Sequence, residues 1–385
     1  MMRYGVFGGA FDPPHLEHLN IVLNAIDELS LDKLIILISN NAPHKNISSD
    51  FYKRLELVKV AFQGIDKIII DEYESTNLEK SYTVNTLKYL KTKYSDDLIY
   101  IIGGDSLENL YSWRDPDEIV KTTRIAVFSR GNLNKLRKNI KYWQDRGAKE
   151  IIEMRYTPKL VSSSDLRYKI KMGQLSKADL IDSKVVEYIL QNQIYLDYSK
   201  YLEILKGTID LKRFQHSIGV LKYALYLNKT LKLNEDKVMQ AALLHDNAKN
   251  DFILSEFVNS EHFKIDKNFS RFVSSDGKIS EVLHAYAGAY RAKEVYNISD
   301  EEVISAIRYH STGKPNMTML EKLIYVSDFL ELGRKYDLDE FRRITDENFE
   351  NGFLEILKFS YHFLNRTKKN IDIDTIDAYN YYFKN

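Results

Sequence analysis

The sequence contains no cysteine, which excludes disulfides and thiolate metal ligands. It also lacks an uninterrupted apolar run of about 18 residues, the length that a membrane-spanning helix needs. No basic stretch followed by an apolar one opens it as a secretory leader would. These absences lead to the expectation of a cytoplasmic protein with no membrane partner. Charge of one sign is missing too, since 55 Lys+Arg balance 55 Asp+Glu. Without a net field, bulk nucleic-acid binding is disfavoured, while a local basic site remains open. Proline (6) and glycine (16) are sparse and nowhere gather into a spacer. What is there is ordinary globular material, 44% hydrophobic and 29% charged. At 385 residues the chain exceeds what one core usually organises, so two domains are expected.

The organising stretch is Gly8-Gly9-Ala10-Phe11-Asp12-Pro13-Pro14-His15-Leu16-Glu17-His18, which follows the apolar Tyr4-Gly5-Val6-Phe7. It predicts a buried strand ending in a glycine pair, a turn fixed by two prolines, and a helix opening with Pro14 near its first position. A helix N-terminus there offers N–H groups and a positive dipole end to a phosphate. His15 and His18, three apart, fall on the same helix face. Residues 33–38, 67–71, 98–102, 124–128 and 150–154 are short continuous apolar runs separated by helical segments. That is the pattern of parallel strands buried on both faces, so a doubly wound α/β sheet is expected. Its ligands belong outside the carboxyl ends of the strands, near the switch point.

The opening string resembles the signature of the nucleotidyltransferase superfamily, which carries a paired-histidine H-x-G-H element after its first strand. In its extended form, G-G-x-F-D-P-x-H-x-x-H, it looks most like bacterial nicotinate-nucleotide adenylyltransferases. Glu17 stands where that family usually has glycine. Further similar motifs follow in family order: Asn41-Ala42-Pro43-His44-Lys45, Ser81-Tyr82-Thr83-Val84-Asn85-Thr86-Leu87, Gly104-Asp105-Ser106 with Leu110 and Trp113, and Val161-Ser162-Ser163-Ser164-Asp165-Leu166-Arg167. Arg114 follows Trp113 where many relatives have an aromatic residue. The resemblance implies a Rossmann-like fold, with ATP and nicotinate mononucleotide as substrates and Mg²⁺ accompanying ATP. It implies that His15 and His18 contact the reacting phosphates and that Lys45 and Arg167 neutralise the triphosphate. Gly8, Gly9, Phe11, Asn41, His44, Thr83, Gly104, Asp105, Trp113 and Ser163 would bind substrate, with Trp113 stacking on the nicotinate ring. In such a reaction a phosphate oxygen attacks the α-phosphorus of ATP and pyrophosphate leaves. Charge therefore builds on oxygens, and well-placed donors stabilise it. The segment 181–196 resembles the family's C-terminal ending, so the first domain is expected to span 1–196, followed by a brief linker from Asp197 to Lys200.

Beyond residue 200 the pattern turns helical, with His216, Val220, Tyr223, Ala224 and Leu227 on one face. Ser299-Asp300-Glu301-Glu302 and Thr318-Met319-Leu320-Glu321 read as capping boxes. The second domain, 197–385, is therefore expected to be all-α. His245, His310 and Asp328 fall at core-facing spacings, where such groups are costly unless paired or holding metal. The ordered set His216, His245-Asp246, His284, His310 and Asp328 resembles the HD-domain metal-dependent phosphohydrolases. Its context, including Leu243-Leu244-His245-Asp246-Asn247-Ala248-Lys249, closely resembles small bacterial HD proteins that cleave diadenosine tetraphosphate symmetrically to two ADP. The resemblance implies two metal ions, iron in that subfamily, held by those residues, with Asp246 also catalytic. It implies a dinucleoside polyphosphate substrate, with Lys249, Arg308 and Lys314 as polyphosphate contacts. His262 and His362 fall outside the set.

The expectation is a bifunctional enzyme of NAD biosynthesis and dinucleotide hydrolysis. Two alternatives stay open: a transferase acting on another mononucleotide or on pantetheine phosphate, and an HD domain that senses nucleotides instead of cleaving them. A homo-oligomer also stays open.

Overall fold

The computed structural model describes the chain except residues 1, 41–48, 76–81, 130, 132, 177–178, 335, 368–370 and 385, and the side chains of 267 and 268. Two compact units emerge, Met1–Tyr198 and Ser199–Asn385. Asp197 and Tyr198, expected in the linker, go with the first: Tyr198 is buried, and its backbone N–H donates to Lys171 O at 2.8 Å. Ser199 already opens a helix, Ser199–Thr208.

In the first unit, six strands lie on the six apolar runs of the sequence: β1 (Tyr4–Gly9), β2 (Lys33–Ile38), β3 (Ile68–Asp71), β4 (Leu98–Gly103), β5 (Arg124–Phe128) and β6 (Ile151–Glu153). All pair in parallel, in the order β3-β2-β1-β4-β5-β6. Two-sided burial explains why the runs are continuous instead of alternating. Phe7, Ile36, Ile99, Ile101, Ala126 and Phe128 enter one core with Ile21, Val22 and Val58, whereas Val6, Ile35, Leu98, Tyr100, Ile125 and Val127 enter another with Leu87, Leu90 and Trp143. Successive strand residues thus face opposite helical layers. From β1 the chain moves outward to β2 and β3, then returns to β4 on the other side. The switch point therefore lies between the carboxyl ends of β1 and β4, marked by Gly8-Gly9 and Gly103-Gly104.

The first helix is Leu16–Glu28, capped by His15, so Pro14 precedes the cap instead of occupying the first turn as expected. Gly9 leaves room for the Phe11 ring, which a side chain there would meet at 3.1 Å. Phe11 takes a positive φ of 50° and turns its ring into the core.

The second unit is helical, with one isolated bridge between Val273 and Ile279 among the described residues. Helix Leu211–Leu231 packs on Glu235–Leu244 and Met319–Leu330, and Glu301–Tyr309 packs on Leu283–Glu294, Glu235–Leu244 and Met319–Leu330. Fully buried Ala241, Ala242, Ala285, Ala287 and Ala289 keep these axes close. The capping box at Thr318 is present: Glu321 N–H donates to Thr318 Oγ1, and Thr318 N–H donates to the Glu321 carboxylate at 2.6 Å. At the other site the cap is Asp300, not Ser299, because the aspartate carboxylate adjoins the first helical residue and accepts from both Glu302 and Val303 N–H. Among the described residues no helix is long and apolar enough to cross a membrane.

Candidate active sites

His15 and His18 cap the first helix reciprocally. His15 N–H donates to His18 Nδ1 at 3.1 Å, and His18 N–H donates to His15 Nδ1 at 3.3 Å. The rings stack with centroids 3.6 Å apart. This is a capping box made of imidazoles, and it has a chemical consequence. Each Nδ1 must be unprotonated to accept, so each neutral ring carries its proton on Nε2. The local fold thereby supplies two N–H donors at a helix N-terminus, the kind of group that stabilises charge on phosphate oxygens.

Neighbouring segments converge on the same loop. Ser163 Oγ donates to Pro13 O at 3.1 Å, and buried Arg167 donates to Asp12 O at 2.5 Å, with the Asp12 carboxylate 3.4 Å away. Ser162 caps helix Ser163–Lys171. The structure thus brings Ser163 and Arg167 to the glycine loop, but it commits the Arg167 guanidinium to Asp12 and to Ser164. Phe11, expected at substrate, is 1% exposed, so its side chain supports the loop from below. Across the switch point, Gly104 and Asp105 open a short helix, Gly104–Glu108, at the end of β4. Thr83 opens helix Thr83–Lys93 and hydrogen-bonds the buried Tyr100 phenol, which burial pushes up to about 12. Trp113 packs half-buried against the second core, and the Arg114 guanidinium lies 4.6 Å over the Tyr82 ring. Asn41, His44 and Lys45 lie outside the described residues.

Sequence reading missed several supports. Arg54, 1% exposed, donates to Ala10 O (2.8 Å), Ser39 O (2.7 Å) and Ser49 O (3.1 Å), tying the ends of β1 and β2 together. Its signal was present: Phe51, Arg54, Leu55 and Val58 share one helical face, and a charge within an apolar stripe calls for a partner. Glu17 at the family's glycine position is buried and accepts from the Tyr156 hydroxyl (2.8 Å) and Lys159 N–H (2.9 Å), joining the first helix to the segment after β6.

In the second unit the predicted ligand residues meet. His216 Nε2 lies 2.9 Å from Asp328 Oδ1 and 3.3 Å from His245 Nε2; His284 Nε2 lies 3.2 Å from Asp246 Oδ1 and 3.2 Å from His310 Nε2. Asp246 spans both groups, with Oδ1 3.4 Å from His310 and Oδ2 3.8 Å from His245. Helix ends explain the aim. His245 and His310 cap the C-termini of Glu235–Leu244 and Glu301–Tyr309, and their Nδ1 atoms bond the carbonyls of Ala242 (2.8 Å) and Ile307 (2.7 Å), groups a helix end leaves unpaired. His284, in the first turn of helix Leu283–Glu294, likewise places its Nδ1 on a backbone carbonyl, that of Glu281 in the preceding turn. Three imidazoles so tied present bare Nε2 lone pairs to one another and to carboxylates.

Such an electron-rich cluster fits cations. Burial pushes His245 down to about 3 and lowers His284, so these rings stay neutral. Burial opposes charge on Asp328, but the hydrogen bond with His216, together with the nearby Arg334, outweighs it and holds that carboxyl well below its usual range. Burial likewise opposes charge on His216, and Asp328 and Glu331 outweigh it, raising its pKa. Two groups, His216–His245–Asp328 and His245–Asp246–His310, keep their ligand atoms within 4.8 Å of one another. Imidazole and carboxylate donors of this kind suit divalent transition ions.

Ser311, unnoticed in the sequence, places its hydroxyl 3.2 Å from His284 Nε2 and 3.0 Å from His310 Nε2. Lys249 reaches the cluster through Asp246 at 3.1 Å. Lys314 instead pairs with Glu321 at 3.2 Å, inside the Thr318 capping box, and the buried Arg308 Nε has no hydrogen-bond partner. His262 stacks on Tyr290, and His362 meets the Tyr379 hydroxyl, both apart from the cluster.

Comparison with known proteins agrees with this division. Residues 6–169 match the cytidylyltransferase-like family, and residues 213–333 match the HD domain. The chain is 34% identical over 200 residues to a nicotinate-nucleotide adenylyltransferase of Clostridium tetani, covering 51% of this chain and 100% of that protein. The chain belongs to the nicotinate-nucleotide adenylyltransferase family. A Mycoplasma genitalium protein named nicotinate-nucleotide adenylyltransferase/Ap4A hydrolase is 26% identical over 373 residues, covering 92% of this chain and 96% of its own length. Among solved structures, an HD superfamily hydrolase involved in NAD metabolism from Clostridium acetobutylicum is 32% identical across 49% of this chain and 97% of that one, with a TM-score of 0.43. This adenylyltransferase family member thus carries an HD domain after its nucleotidyltransferase domain.

Proposed function

We propose that the first unit transfers AMP from ATP to nicotinate mononucleotide, releasing pyrophosphate, and that the second hydrolyses diadenosine tetraphosphate to two ADP. The observation that supports the transferase most directly is the imidazole capping box, which leaves His15 and His18 as Nε2–H donors beside the glycine loop. In this reading the acceptor phosphate attacks the α-phosphorus of Mg²⁺-bound ATP while those donors stabilise charge on the phosphate oxygens. Lys45 adds positive charge, and Arg167 holds the Asp12 turn in place.

The convergence of imidazole Nε2 atoms on Asp246 and Asp328 supports the hydrolase. His216, His245, Asp246, His284, His310 and Asp328 would hold two metal ions, iron by resemblance. When bound, such a pair supplies Lewis acidity toward phosphate oxygens and acidifies a coordinated water. Lys249 would meet polyphosphate charge from beside Asp246, and Ser311 offers a hydroxyl on the same side as His284 and His310.

Two assays on the full chain test this. Pyrophosphate release is measured with ATP and nicotinate mononucleotide, nicotinamide mononucleotide or pantetheine phosphate, and products of diadenosine tetraphosphate are resolved chromatographically. Release with nicotinate mononucleotide and a sole ADP product are expected. Faster release with pantetheine phosphate overturns the acceptor assignment, and AMP plus ATP overturns symmetrical cleavage. A dinucleotide left intact by metal-loaded protein favours nucleotide sensing.

A further inference from the structure

One buried carboxylate beside the metal-ligand cluster lies outside the ligand set. Glu331 is 4% exposed; His216 Nδ1 lies 3.1 Å from its Oε1, and Gly333 N–H donates to its Oε2 at 2.6 Å. His245, His284 and His310 instead place Nδ1 on backbone carbonyls. His216 therefore differs from the other three in having its outer nitrogen on a charged group. Gly219, three residues on along helix Leu211–Leu231, makes the room: a Cβ there would lie 2.5 Å from Glu331 Oε2.

A carboxylate on Nδ1 fixes the imidazole tautomer, aims Nε2 and makes that nitrogen a stronger donor; a neutral carbonyl aims it with less effect on basicity. We infer that Glu331 is a positioning residue that sets the metal affinity of the His216–His245–Asp328 position separately from that of the Asp246–His284–His310 position, with Gly219 keeping its place open. The inference rests on the hydrolase reading above. The charge around Asp328 gives the arrangement a purpose. Arg334 pairs with Asp328, the single carboxylate of that group, and draws charge away from it. Glu331 returns negative charge through His216.

The test titrates Mn²⁺ alone into metal-stripped full-length protein by calorimetry, with metal content measured after desalting. The parent is expected to bind two Mn²⁺ per chain. Glu331→Gln is expected to weaken one of the two sites by about 10–100-fold and leave the other at its parental affinity. Gly219→Ala is expected to weaken the same site by displacing Glu331. Because alanine favours a helix over glycine, its metal-free thermal midpoint should hold or rise, and those opposite movements separate positioning from damage to the fold. Two sites at parental affinity in Glu331→Gln, or equal weakening of both, overturns the inference. A parent that binds no Mn²⁺ overturns the hydrolase reading and this inference with it.

Discussion

Asp12 and Tyr195 stand 183 residues apart in sequence, and the Tyr195 hydroxyl donates to the Asp12 carboxylate at 2.9 Å. Burial, with the Asp12 charge adding to it, pushes the phenol well above its ordinary range, so it remains a donor. The last segment of the first unit is thus bonded to the turn that leads into the histidine pair. A buried hydrogen bond to a charged group contributes about 1.5–3 kcal/mol. Tyr195→Phe should therefore lower the unfolding midpoint of the first unit by roughly 3–12 °C, at about 2–4 °C per kcal/mol. It should also raise KM for ATP more than it lowers kcat. An unchanged midpoint in calorimetry of the full chain would show that the bond is incidental.

A second prediction separates the cap from the chemistry at His18. Removing the side chain would delete both the Nδ1 acceptor of the cap, about 0.5–2 kcal/mol of stability, and the Nε2 donor. His18→Asn keeps an acceptor near the Nδ1 position and loses Nε2. This variant is expected to retain near-parental thermal stability while pyrophosphate release falls by about 10²–10³-fold. Parental turnover would sink the assignment of the paired histidines.

Much of this was legible in the sequence because two-sided burial leaves a strong signal. Each strand from β1 to β6 falls on a continuous apolar run, and six residues in the order H…HD…H…H…D meet in one cluster. The supports were harder to see. Arg54, Glu17 and Glu331 act through contacts set by tertiary packing; Arg54 and Glu17 sit on largely apolar helix faces that hint at burial, whereas Glu331, just past the end of helix Met319–Leu330, gives no such sign. Lys314 is a related case: the fold pairs it with Glu321, a contact that its place a few residues after His310 does not announce. The histidine cap eluded the usual Ser/Thr/Asp/Asn rule, since imidazole Nδ1 can accept a backbone N–H as a carboxylate does.

A third prediction concerns the acceptor. Thr83 opens a helix whose cap residue, Tyr82, makes no side-chain cap bond, and the Arg114 guanidinium lies over the Tyr82 ring beside it. A helix N-terminus and a cation both favour a carboxylate, and donors left unpaired by an amide penalise it. Nicotinate mononucleotide should exceed nicotinamide mononucleotide in kcat/KM by about 10²-fold or more. Arg114→Met should narrow that ratio mainly through KM for the acid, and Trp113→Ala should raise KM for both forms. Equal kcat/KM for acid and amide in the parent would show that this locality does not select.

The last prediction addresses Asp246. Its Oδ1 lies 3.2 Å from His284 and 3.4 Å from His310, and its Oδ2 lies 3.8 Å from His245, so one carboxylate faces three of the clustered imidazoles. Asp246→Asn preserves shape and removes the charge. Metal ions held by this cluster would then lose an anionic ligand, and less of their mutual repulsion would be offset. Metal affinity and rate should therefore fall together. Metal content is expected to drop from two ions per chain to one or fewer, with ADP formation from diadenosine tetraphosphate abolished. Pyrophosphate release by the same sample reports whether the first unit remains folded. Retention of both ions with full hydrolysis would remove Asp246 from the site, and loss of hydrolysis with both ions still bound would place its role in the chemistry instead of in metal retention.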